Sequence, residues 1–199
     1  MTAERHLVIF TRYPKAGAGK RRLAAGVGDV QAVRFSRVRL AVLVARLARD
    51  PRWTTWLAVT PDSAGPWPYG ARVVRQGRGD LGARMGRVFG ALPPGPVVIV
   101  GSDCPAVTSA HVARGFQALG GKQAVLGPAS DGGYWLVGLD WRGRRRVPFT
   151  GVRWSSEFAL ADTVANVDGP VAMVDTLDDV DDARDLARCA NWGRVVLGK

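Results

Sequence analysis

A chain of 199 residues, 47% hydrophobic and 23% charged, has the length of one domain and enough apolar content for a packed core, which excludes a disordered chain. Its formal charge of +11 permits attraction to nucleic acid, to anionic membrane or to polyphosphate substrates, and the sign alone does not choose among them. Cys104 and Cys189 are far apart and neither sits in a C-x-x-C pair, so neither a disulfide framework nor a zinc site is supported.

The opening MTAERHLVIF lacks a basic region followed by a long apolar stretch and a small-residue cleavage site, and no later run approaches the ~20 apolar residues a bilayer needs. A cytoplasmic protein is expected. HLVIFT reads as the first strand, followed by a helix from about Asp29 to Arg49. Asp29 can cap that helix, and Val33, Leu40, Leu43, Val44 and Leu47 lie near one face. Arg34, Arg37, Arg39, Arg46 and Arg49 then make a solvated basic face rather than a dedicated nucleic-acid patch.

WTTWLAVT and ARVVRQ follow as strands, then a helix over Leu81 to Leu92 whose Leu81, Met85 and Phe89 form a core stripe. PVVIVGS is apolar at every position, as a strand covered by helices on both faces would be. Thr108 opens the next helix. QAVLGPA and GYWLVGL are separated by a linker too short for a helical crossover, so one antiparallel element is expected there. Arg144 to Arg146 reads as a short basic loop. A helix near Ser155 to Val167, the strand PVAMVD and a final helix from about Asp181 complete the chain. With no internal repeat or composition break, residues 1–199 read as a single three-layer α/β/α domain on a mostly parallel, Rossmann-like sheet.

Ligands of open α/β sheets gather beyond the carboxyl ends of the strands, so polar residues directly after strands carry the most weight. TRYPKAGAGKRRL follows the first strand: Gly17 and Gly19 allow close backbone approach, and Lys15, Lys20, Arg21 and Arg22 add positive charge at the start of a helix. Phosphate is the natural guest, although this is neither a Walker loop nor a G-x-G-x-x-G fingerprint, and a solvated basic loop is the plain alternative. Gln76, Gly77, Gly79 and Asp80 also follow a strand and could line a nucleotide; alternatively Asp80 simply caps the next helix, and both roles can hold together.

In GSDCP, Asp103 follows the buried strand and the Cys-Pro step extends the turn after it. A carboxylate there can hold Mg²⁺ or Mn²⁺ together with water and substrate phosphate oxygens, or can make a turn hydrogen bond. Asp131, before a Gly pair, either makes a tight turn or orients and deprotonates an acceptor hydroxyl. Asp178, Asp179, Asp181 and Asp182 meet the last helix, chiefly as capping charge, with Asp179 or Asp181 able to approach the metal.

Taken in order, RYPKAGAGKRRLAAGVG, QGRGDLGARM, VIVGSDCP, LGPASDGGYWLVGL, GVRWSS and DDVDDARDL resemble the radical-SAM/selenodomain-associated transferase family, a bacterial group with the GT-A glycosyltransferase fold. The resemblance spans nearly the whole chain. It implies a nucleotide-diphospho-sugar transferase-like sheet, with the nucleotide over its first half and the acceptor over its second. The basic loop also resembles that of 2-phospholactate guanylyltransferase, and Lys15, Lys20 and Arg22 match its phosphate-handling positions.

Two departures are visible. Lys20-Arg21-Arg22-Leu23 stands where the family usually has Lys-Thr-Arg-Leu, and a single Asp103 stands where many GT-A enzymes carry an Asp-x-Asp pair. The expectation is a metal-dependent glycosyl transfer in which Asp103, with Asp179 as a second candidate ligand, holds the ion. Lys20 and Arg22 neutralise the leaving nucleotide, while Lys15, Gly17, Gly19, Gln76, Gly77 and Asp80 bind it, and Asp131 serves a small-molecule acceptor. Nucleotidyl transfer from a nucleoside triphosphate to a phosphorylated acceptor uses the same groups. A basic nucleic-acid-binding module is the third reading.

Overall fold

The computed structural model describes residues 3–17, 21–63, 65, 67, 71–178 and 180; the final helix expected from Asp181 lies outside them. The elements run β1 (His6–Arg12), α1 (Arg21–Val27), α2 (Asp29–Leu47), β2 (Thr54–Thr60), β3 (Arg72–Arg75), α3 (Leu81–Ala91), β4 (Val97–Gly101), α4 (Ser109–Ala118), β5 (Ala124–Pro128), β6 (Tyr134–Leu139), α5 (Ala159–Ala165) and β7 (Val171–Met173). Their seven strands form one sheet in the order β3, β2, β1, β4, β6, β5, β7. All pairings are parallel except those of β6, which runs antiparallel to both β4 and β5. The short Ser-Asp-Gly linker before β6 accounts for this, since a parallel return would need a crossover.

Helices cover both faces, as the uniformly apolar strands require. Leu7 and Ile9 of β1 pack with Leu40, Leu43 and Leu47 of α2 and with Val112 and Phe116 of α4 on one side. Val8, pointing the other way, packs with Met85, Val88 and Phe89 of α3 and with Leu160 and Val164 of α5. Strand β4 is buried at Val97, Val98, Ile99 and Val100 alike, because successive side chains enter opposite layers. A smaller cluster of Leu23, Ala32, Phe35 and Val180 ties α1 and α2 to the chain after β7.

Several local expectations are corrected. Helix α2 begins behind Gly28, whose φ of 84° suits glycine, and Asp29 makes no side-chain cap but lies in the first turn. The buried face of α2 includes Ala32 and Phe35, with Val33 only partly covered. The basic face of α2 is not wholly solvated: Arg39 is 2% exposed and its Nε donates to the Ser102 carbonyl at 2.7 Å, while Arg46 donates to the Val107 carbonyl at 2.8 Å. Leu81 is exposed, and the α3 stripe runs through Met85, Val88 and Phe89 instead. The helix expected from Ser155 starts only at Ala159, because residues 153–158 are spent on turns. Thr108 caps α4 as expected, in a reciprocal capping box with His111.

Arg144 is the largest departure from a simple basic loop. Its side chain is buried, and its guanidinium donates to the carbonyls of Phe89, Leu92, Pro93 and Gly95. These are the orphan acceptors at the end of α3 and in the loop beyond, and the planar fork of five donors satisfies them together.

His6 lies fully buried at the opposite end of β1 from the strand's carboxyl edge. Burial lowers its pKa below the ordinary 6.5, outweighing the nearby Glu4 carboxylate that pulls the other way. A folded-state pKa below the unfolded value means that the unfolded chain takes up the proton first. Its contribution to stability is therefore complete above the unfolded value of 6.5 and declines as pH falls below it toward the folded pKa. Thermal melts should show Tm falling through this acid range, with His6→Asn flattening the slope. An unchanged slope in the variant would assign the acid sensitivity elsewhere.

Candidate active site at the sheet switch point

Strand β1 pairs with β2 on one side and β4 on the other, so the chain leaves β1 and β4 in opposite directions and a crevice opens beyond their carboxyl ends. A cleft of about 790 Å³ occupies this position. It is lined by Phe10 at the end of β1, by Gly101, Ser102 and Asp103 at and after the end of β4, by Arg22 of α1, and by Asp131, Tyr134, Trp154 and Glu157.

The Asp103 loop is splinted from several directions. The Ser102 N–H donates to the Phe10 carbonyl at 3.1 Å, and the buried Arg39 holds the Ser102 carbonyl from below. The Val180 N–H donates to the Asp103 carbonyl at 3.1 Å, and Arg46 grips Val107 farther along. With its main chain fixed, the exposed Asp103 side chain is presented into the cleft. Cys104 beside it is buried core.

The opposite wall consists of two turns locked together. Asp131 Oδ1 accepts the Gly133 N–H at 2.9 Å, an Asx turn that fixes the carboxylate. Gly132 has φ 83°, and a Cβ on it would lie 2.2 Å from the Glu157 carbonyl oxygen. Its own carbonyl accepts the Leu160 N–H at 3.0 Å. The facing turn, residues 153–158, includes Ser155 at φ 59° and a Ser156 hydroxyl donating to the Arg153 carbonyl at 2.6 Å. Arg153 makes paired bonds to Asp162 at 2.9 and 2.7 Å, and its guanidinium lies over the Phe158 ring at 3.9 Å. Trp154 packs edgewise on Tyr134 and against Phe149, and Gly82 at the start of α3 leaves room for it, since a Cβ there would sit 2.8 Å from the indole.

The expected site residues divide accordingly. Asp103, Asp131 and Arg22 line one cleft. Lys15 lies in a separate groove of about 500 Å³ against α2, with Tyr13, Val33 and Arg37, and Gly17 is a turn glycine at φ 71°. Gln76 is fully buried: its amide donates to the carbonyls of Thr11 and Ala58, and its oxygen accepts from Arg84. It therefore fastens the ends of β1 and β2 beneath the cleft and does not line it. Gly77, at φ 71°, is covered by the Arg87 guanidinium, which also holds the Gln76 and Arg78 carbonyls. Asp80 caps α3 by accepting the Ala83 N–H at 2.7 Å. Gly19, Lys20 and Asp179 lie outside the described residues, as do Asp181 and Asp182. Asp178 accepts a hydrogen bond from the Ser130 hydroxyl.

The sequence by itself assigns no role to the wall of Trp154, Ser155, Ser156 and Glu157. Its signal is the segment GVRWSS, which carries the family resemblance without a carboxylate of its own. Among the described residues no cluster of three or more His, Cys, Asp or Glu forms a metal cage. Asp103 offers oxygen donors only, the chemistry of a hard cation that completes its shell with water and phosphate. Burial pushes the Tyr134 phenol well above its ordinary value, so it stays protonated near neutrality.

A three-layer sheet open at the β1/β4 switch point, with a carboxylate after β4, defines a nucleotide-diphospho-sugar transferase-type fold. The chain belongs to the family described as "Uncharacterized protein conserved in bacteria (DUF2064)", whose profile matches residues 38–156. Among solved structures it is similar to a candidate nucleotide-diphospho-sugar transferase from Desulfovibrio desulfuricans G20, with 26% identity over 98% of this chain and 89% of that one and a TM-score of 0.83. It is similar in fold to 4-diphosphocytidyl-2C-methyl-D-erythritol synthase from Anaerococcus prevotii, with 12% identity, coverage of 95% and 97%, and a TM-score of 0.61. The same holds for Rv0371c from Mycobacterium tuberculosis in complex with manganese, with 18% identity, coverage of 94% and 98%, and a TM-score of 0.54. No curated protein matches the chain significantly. Among the described residues no helix is long and apolar enough to cross a membrane.

Because Gly132 joins the two turns of the wall opposite Asp103, Gly132→Ala should cost more than backbone strain alone. Gly121, in the turn after α4, has a similar φ, 76°, but open space around its missing side chain. Gly121→Ala is expected to lose about 1 kcal/mol of stability and Gly132→Ala at least about 2 kcal/mol. Urea denaturation of both variants measures the difference, and equal losses would dissolve the proposed lock between the turns.

Proposed function

We propose that the protein is a divalent-metal-dependent transferase that moves a sugar from a nucleotide-diphospho-sugar to a small-molecule acceptor. The observation that carries this reading is the meeting of Asp103, Arg22 and Asp131 in one cleft at the sheet's switch point. The Desulfovibrio desulfuricans neighbour, similar over nearly the whole chain, supports it, and the manganese complex of the Mycobacterium tuberculosis neighbour supports a metal of this type.

Asp103 is the proposed ligand of Mg²⁺ or Mn²⁺, with Asp179 as the second carboxylate. When bound, the ion would stabilise negative charge on the departing diphosphate. Arg22, with Lys20 beside it in sequence, neutralises the same leaving group. Asp131 keeps Oδ1 on the Gly133 N–H and uses its remaining oxygen to orient an acceptor hydroxyl and take its proton. Tyr134 is excluded as that base because its buried phenol holds its proton.

Nucleotidyl transfer is the second reading, favoured by the fold shared with the Anaerococcus prevotii synthase. Incubating the protein with nucleoside triphosphates and sugar nucleotides, Mg²⁺ or Mn²⁺, and an acceptor panel separates the two by product. Nucleoside diphosphate release is expected, and pyrophosphate release would replace the first reading by the second. Asp103→Ala should abolish the thermal shift produced by nucleotide plus Mn²⁺ while leaving the metal-free Tm close to that of the parent, because the side chain is exposed. A retained shift would remove Asp103 as the metal ligand.

A further inference from the structure

The protein is strongly basic, with a formal charge of +11, yet its main cleft is not. Among the described residues lining that cleft, Arg22 is the one cation, against the carboxylates of Asp103, Asp131 and Glu157. Arg22 belongs to α1, and the Arg84 guanidinium lies over the ring of Phe10, another lining residue, at 5.4 Å. Asp131 and Glu157 stand on the two interlocked turns of the far wall, and no lysine or arginine joins them among the described lining residues. The nearest basic side chain in sequence, Arg153, is occupied by Asp162 and stacked on Phe158.

Between the two carboxylates the wall is aromatic and hydroxylic. Trp154 and Tyr134 are half-buried and packed edge to face with ring centroids 6.4 Å apart, and Ser155 and Ser156 complete the lining. An aromatic face flanked by carboxylate acceptors suits a molecule with an apolar ring or chain face and several O–H or N–H donors. It opposes a phosphate ester, which would bring two negative charges against Asp131 and Glu157, beside which no lysine or arginine stands on the same turns among the described lining residues.

We propose that Glu157 and Trp154 make the far half of the cleft a subsite for an uncharged, hydroxyl-bearing acceptor, and that Glu157 is the residue that rejects phosphorylated ones. The inference rests on the transferase reading above and narrows its substrate class. The Glu157 backbone is fixed by its contact with Gly132, whereas its side chain is exposed, so charge can be changed there without disturbing the packed wall.

The experiment uses the full chain and matched probes, glycerol with glycerol 3-phosphate and glucose with glucose 6-phosphate, with binding read by saturation-transfer NMR. Each pair is measured with and without UDP or GDP plus Mg²⁺. In the parent protein the unphosphorylated member of a pair should bind, with its ester weaker by on the order of tenfold or more. Glu157→Gln should narrow that ratio, and Glu157→Lys should bring it to unity or invert it. Esters that bind the parent as tightly as their free partners overturn the proposal. So do free partners that fail to bind at all, or a ratio that Glu157→Lys leaves unchanged in a protein whose melt matches the parent. Failure of the transferase reading is distinct: it appears as the absence of any thermal shift with nucleotide and Mg²⁺, whatever the acceptor preference.

Discussion

The parallel pairing of β1 with β4 is the constraint on which the rest of the molecule depends. With β2 on the other side of β1, the connections from the two central strands must diverge, and the crevice between them is a consequence of topology before any side chain is considered. The Ser102 N–H bonded to the Phe10 carbonyl extends that pairing one residue past the regular ladder and delivers Asp103 to the mouth. Everything placed around the cleft, from Arg22 to the 153–158 turns, is positioned relative to this edge.

Arginine is abundant here, and much of it acts on the protein's own backbone. Arg39, Arg46, Arg87 and Arg144 all donate to main-chain carbonyls. A guanidinium serves this purpose better than an ammonium because its donors lie in one plane and it sheds water more readily. A net charge of +11 therefore overstates the basic surface offered to a partner. The three carboxylates that face one arginine among the described lining residues of the cleft carry more functional information than the sum over the chain.

The two halves of the cleft are built by different means. The Asp103 side is framed by regular elements, strand ends and helix starts. The opposite wall is made of turns whose mutual fit rests on glycines: Gly132 under Glu157 and Gly82 under Trp154. Such close approaches leave no room for a Cβ, so the two turns fit each other without regular secondary structure.

The sequence by itself determined the three-layer class, the antiparallel β6 and the placement of Asp103 and Asp131 after strands. These follow from periodicity, linker length and Gly/Pro punctuation, which are local. It misplaced Gln76, Leu81 and Asp29, because a polar or apolar label does not say which layer a residue enters once neighbouring strands and helices compete for it. Gln76 looked like a ligand contact and is buried joinery; Leu81 looked like core and lines the cleft. Only the tertiary structure decided that Arg39 and Arg144 are internal clamps and that Glu157 faces the same space as Asp131. Those relations join residues distant in the chain, and their physical cause is the packing of turns and helices against a sheet edge, which no spacing along the sequence encodes.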